Sequence, residues 1–142
     1  MATIKSSITV QASPAAVFDY IDDMEKNPEW IVGMSEVRDV RGEGVGREFH
    51  WTFTMIGIPF DGESTTVEHV PGKRLVTESK GGIRSIWSAD LEEEGAGTKL
   101  VMEVDYTIPV PVLGKLAENI ILKRNTRELE QGMLNIKERL EG

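Results

Sequence analysis

The sequence contains no cysteine, so disulfides, thiolate nucleophiles and Cys-ligated zinc or iron–sulfur centres are excluded. Histidine is scarce, with only His50 and His69. A metal centre that wants three or four convergent ligands therefore has little to draw on, and no metal or other cofactor is expected. No apolar run approaches the roughly 20 residues needed to cross a bilayer. The opening residues, Met1 to Lys5, lack a basic stretch followed by an apolar core, which reads as no secretory signal and a cytoplasmic location. Cations are in deficit: 16 Lys and Arg against 24 Asp and Glu leave a net charge of −8, which argues against nucleic-acid binding and stable membrane insertion.

What is present suits a globular protein. Of 142 residues, 39% are hydrophobic and 28% charged, enough for one domain (1–142) with a substantial core. Ile4, Ser6, Ile8 and Val10 alternate with polar residues as a strand does. Ser13-Pro14 reads as a helix start, and Ala16, Val17, Tyr20 and Ile21 follow at helical spacing, giving a short helix over 14–23. Pro28 opens a second helical segment through Trp30, Ile31 and Val32, ended by Gly33.

From Met34 to Ile108 the period is two. The clearest strand is 47–55, where Phe49, Trp51, Phe53 and Met55 alternate with Glu48, His50, Thr52 and Thr54. Breaks at Ile56–Pro59, Pro71-Gly72, Gly81-Gly82 and Gly95–Gly97 separate strands at 60–70, 74–80, 83–92 and 98–108. Connections this short require antiparallel pairing. After Pro109-Val110-Pro111 the remaining residues read as one helix. Leu122, Thr126, Leu129, Met133, Ile136 and Leu140 form a narrow seam on it, while Leu113, Leu116, Ala117, Ile120 and Ile121 form a second apolar stripe out of phase with the first.

A strand, two short helices, six antiparallel strands and a long C-terminal helix follow one another in the order of the helix-grip fold, an α+β architecture. The chain carries Ser13-Pro14-Ala15-Ala16-Val17-Phe18 after the first strand, Trp30 in the second helix and Gly44-Val45-Gly46 before the next long strand. It also carries Gly97-Thr98-Lys99-Leu100 entering the last strand, then Tyr106-Thr107-Ile108-Pro109 and Leu113-Gly114 entering the helix. In this order they resemble the START/Bet v 1-like (SRPBCC) superfamily, and within it the small bacterial polyketide cyclase/dehydrase and lipid-transport group. The resemblance implies a curved seven-stranded sheet gripping the long helix, with a hydrophobic cavity between them. It implies no shared catalytic set: members of the group carry hydrophobic molecules, cyclise or dehydrate polyketides, or act as accessory subunits.

Few aromatics are present, yet Trp30, Phe49, Trp51, Phe53, Trp87 and Tyr106 all fall on faces read as inward. Either they fill a plain core or they line a pocket that holds an apolar or planar ligand. With Met102 and with Leu122, Thr126, Leu129 and Met133 from the helix seam, the set Trp30, Trp51, Phe53, Trp87, Met102 and Tyr106 forms the candidate ligand-binding site. Thr126 has a competing role, a hydroxyl bonded back to its own helix. Tyr106 and His69 are the only candidates for an acid or base in a polyketide cyclase or dehydratase. The run Gly42-Glu43-Gly44-Val45-Gly46 leads into a strand rather than a helix and reads as a hairpin turn, not a nucleotide loop. The reading that emerges is a monomeric or homodimeric protein that binds or transports a hydrophobic small molecule. The alternatives are a cyclase acting on a chain held in the cavity and an accessory or assembly factor.

Overall fold

Alternation of apolar and polar residues is what puts most of this chain into one sheet, and the register follows from which residues must be dry. The computed structural model describes residues 2–109 and 118–142. Strand β1 (Ala2–Val10) is followed by helix α1 (Pro14–Asp22), a 3₁₀ turn at Met24–Lys26 and the short helix α2 (Asn27–Trp30). Six strands come next: β2 (Met34–Arg41), β3 (Glu48–Met55), β4 (Ile58–Val70), β5 (Arg74–Lys80), β6 (Ser85–Glu94) and β7 (Gly97–Tyr106). Helix α3 (Glu118–Glu141) closes the chain. The sheet has seven strands in the order β1-β7-β6-β5-β4-β3-β2, every neighbour antiparallel. This is the α+β helix-grip architecture that the order of elements predicts.

Local chemistry sets the boundaries. The Ser13 hydroxyl accepts from the Ala16 amide at 3.1 Å and caps α1, with Pro14 at the first helical position. Gly33 has φ +96°, and a Cβ there would lie 2.9 Å from both Phe53 and the Thr54 carbonyl. Only glycine permits the chain to turn there out of α2 and into β2. The glycine-rich run joins β2 to β3 as a turn, as its sequence context requires. The β3–β4 turn is tighter than the sequence suggests. Only Ile56 and Gly57 form it, and Ile58 and Pro59 already pair with Met55 and Thr54.

The inward face of the sheet and one side of α3 share a core that includes Val10, Val17, Phe18, Ile21, Leu100, Ile121, Met133 and Ile136. The buried line of α3 is Ile121, Asn125, Leu129, Gly132, Met133 and Ile136. That corrects the expected seam. Leu122, Thr126 and Leu140 are only half-buried, because a polar Asn125 and a side-chain-free Gly132 occupy central places on the packed face. The supposed second stripe also divides: Ile121 is in the core and Ile120 is exposed. Leu113, Leu116 and Ala117 lie outside the described residues.

Candidate ligand-binding site

Between the concave sheet face and α3, with α2 across one side, lies a cavity of about 120 Å³. Its wall contains all six inward aromatics of the sequence: Trp30, Phe49, Trp51, Phe53, Trp87 and Tyr106. Met102 and Leu129 also line it. Seven of the ten expected site residues are therefore brought together. Leu122, Thr126 and Met133 are not in the wall. Thr126 donates its hydroxyl to the Leu122 carbonyl at 2.9 Å, the helix-internal bond that competed with a ligand role. Met133 is 1% exposed and packs in the core instead.

Period-two alternation aims the strand aromatics inward, and neighbouring residues seat them. Trp51 on β3 faces Gly62 on β4, where a Cβ would meet the indole ring at 2.3 Å. The bare glycine is what lets the ring lie against the sheet, and Trp51 Nε1 then donates to the Ser64 hydroxyl at 2.9 Å. Trp30 and Trp87 meet edge to face, with centroids 6.1 Å apart. Gly132 lets α3 approach Trp30: a Cβ there would sit 2.8 Å from the Trp30 carbonyl.

Helix α2, which carries Trp30, is latched at several points. Tyr20 on α1 donates to Glu29 at 3.0 Å, Arg139 on α3 pairs with the same carboxylate at 3.5 Å, and Asn135 donates to the Trp30 carbonyl at 3.4 Å. Burial, and then the bond to Glu29, pushes the Tyr20 hydroxyl up to about 12, so it remains a donor across the physiological range.

The polar part of the wall was largely invisible in the sequence. Asn125 donates to the Tyr106 hydroxyl at 2.7 Å. Burial pushes the Tyr106 phenol above its usual value, with the Asn125 bond opposing and the charge of Glu128 adding to the rise. Tyr106 is thus a neutral hydroxyl at working pH. Glu128 is the one carboxylic acid among the described residues of the wall, and its carboxylate accepts from Arg124 at 3.0 Å. Asn27 and Trp30 carry two of the three buried side-chain atoms without a hydrogen-bond partner among the described residues, Asn27 Oδ1 and Trp30 Nε1.

The histidines lie elsewhere. His69 is not in the wall, which corrects its candidacy as a cavity acid or base: its Nε2 contacts Asp22 at 3.0 Å and its ring meets Phe18 edge-on. Asp22 also accepts from the buried Arg47 at 2.7 Å, so the three side chains tie α1 to the sheet. His50 sits on the wet face, 3.2 Å from both Asp39 and Glu63, and the bonds to Asp39 and then Glu63 raise its pKa. Among the described residues no cluster of three or more His, Asp or Glu side chains is arranged to hold a metal ion, and no helix is long and apolar enough to cross a membrane.

Solved structures share this architecture. TTHA0849 from Thermus thermophilus superposes with a TM-score of 0.86 at 20% identity, covering 99% of this chain and 97% of that one. The Zhui aromatase/cyclase from Streptomyces sp. R1128 gives 0.75 at 14% identity, with 97% and 94% covered. Aha1 from Colwellia psychrerythraea, solved as a dimer, gives 0.66 at 18% identity, with 99% and 97% covered. These likenesses are of fold. No curated protein matches the sequence. The family model described as polyketide cyclase / dehydrase and lipid transport matches residues 1–141, and the chain belongs to that family.

Proposed function

We propose that this protein binds a hydrophobic small molecule in the cavity between sheet and α3, as a carrier or binding protein rather than as a catalyst. The observation that carries the reading is the gathering of six of the chain's nine Phe, Trp and Tyr residues on one cavity wall. Rings used only as packing would close on one another, whereas these surround open space. Transfer of apolar ligand surface into it contributes about 25 cal/mol per Å² before ordering costs. Helix α2 and the β3–β4 turn form the entrance, since α2 is a single turn held by a few side-chain bonds.

The test is native mass spectrometry of the protein mixed with iodobenzene, a neutral apolar single-ring probe. A one-to-one adduct is expected, and it disappears in Ala89→Phe, which fills the cavity from its β6 wall. No adduct, or one that survives in a folded Ala89→Phe variant, overturns the reading.

A second reading, a cyclase or dehydratase, draws on one observation: Glu128 lies close enough to Tyr106 to raise its pKa, which sets a carboxylate beside a neutral phenol at the wall. Such a pair supplies a base and an acid to a chain folded in the cavity.

A further inference from the structure

The inference concerns the chemistry of the ligand and rests on the binding role proposed above. Asn27 and Trp30 stand three residues apart on α2, and side chains at that spacing share a helix face. Both are buried, at 6% and 4% exposure, and both line the cavity. Among the described residues Trp30 Nε1–H has no acceptor and Asn27 Oδ1 has no donor. Among the described residues the other end of the Asn27 amide meets only the Met24 sulfur at 3.5 Å, a weak acceptor. Leaving such groups unpaired in an apolar site costs free energy that a ligand with the complementary groups recovers. A hydroxyl is the smallest group that accepts from one and donates to the other.

Size and charge narrow the class further. A cavity of about 120 Å³ is near the scale of the roughly 150 Å³ apolar cavity that admits benzene, which limits the ligand to about one ring. No Lys, Arg or His is among the described residues of the wall, and its one carboxylic acid is Glu128. An anionic ligand would be buried there with no counter-charge and would face a carboxylate. We infer that the cavity is built for an uncharged, single-ring compound bearing a hydroxyl, which the Trp30 indole N–H and the Asn27 amide oxygen recognise together.

The experiment compares toluene, p-cresol and benzoate as probes by NMR titration of the 15N-labelled protein at pH 7. The account expects p-cresol to bind at least about tenfold more tightly than toluene, since a site that hydrogen-bonds a hydroxyl rejects the analogue lacking it. Benzoate is expected at least about tenfold weaker than p-cresol. The Trp30 indole N–H resonance moves downfield with p-cresol and not with toluene. In Trp30→Phe and in Asn27→Leu the ratio of p-cresol to toluene affinity falls towards one. Equal affinities in the unaltered protein, or benzoate binding as tightly as p-cresol, overturn this inference and leave the binding role standing. If none of the three binds while iodobenzene does, the assignment of ligand class fails alone; if no probe binds, both fail.

Discussion

The Asn125 amide donates to the Tyr106 hydroxyl across 2.7 Å, joining the middle of α3 to the end of β7 at the cavity wall. The bond fixes the helix at a polar point on an otherwise apolar face, where sliding by one residue would strand both groups. Asn125→Leu is expected to cost about 1–2 kcal/mol in urea denaturation, because the buried Tyr106 oxygen loses its donor. In combination with Tyr106→Phe the loss is expected to be about 1 kcal/mol smaller than the sum of the two single losses. Strict additivity would show that the bond contributes nothing.

Trp51 owes its place to Gly62. A methyl group at 62 would lie 2.3 Å from the indole, so Gly62→Ala must displace the ring or bend the strand. The expected loss is about 2–3 kcal/mol, measured by denaturation. It should shrink when Trp51→Leu removes the ring, and an undiminished loss would place its cause in the backbone instead.

Ile56 adopts φ +48° in a two-residue turn whose other residue, Gly57, is at +76°. A β-branched residue is strained in that region, and Asn is favoured ahead of Gly in such turns. Ile56 is also exposed, so little packing is lost on replacing it. Ile56→Asn should stabilise the protein by about 1 kcal/mol, seen as a higher thermal midpoint.

The carboxyl of Asp22 is raised by burial, but the bonds from His69 and Arg47 outweigh that and hold it below the ordinary value of 3.8. A folded-state pKa below the unfolded one gives stability that is present above 3.8 and lost as pH falls through and beneath it. Asp22→Asn should therefore be less stable at pH 7 by about 1–3 kcal/mol, with the gap closing below pH 3.8. A gap that is constant in pH would exclude the ionic contribution.

The strands and their faces were legible because alternation with only one dry side has a single reading, as in Phe49, Trp51, Phe53 and Met55. Strand ends were less so: Ile83 packs in the core from the segment before β6, and the pattern does not distinguish a buried loop residue from a strand residue. The cavity aromatics followed from those faces. The helix wall did not, since an apolar template selects Leu122 and Met133 and passes over Asn125, Glu128 and Gly132. The line Ile121, Asn125, Leu129, Gly132 and Ile136 has helical spacing and could have been found by asking where a helix approaches closely enough to need a glycine. Asn27 was missed because an Asn before a Pro reads as a helix start, and nothing local marks its amide as buried. His69 misled because its partner, Asp22, lies 47 positions away in the chain.

All three tryptophans of the chain line the cavity, so their indole N–H resonances report on it directly. The measurement that tests the central claim is a 1H–15N NMR titration with iodobenzene, a single-ring apolar probe. The account predicts saturable shifts of the Trp30, Trp51 and Trp87 indoles at one equivalent, with exposed positions such as Val45 and Leu134 unmoved. Indole resonances that stay fixed while surface positions shift would contradict it.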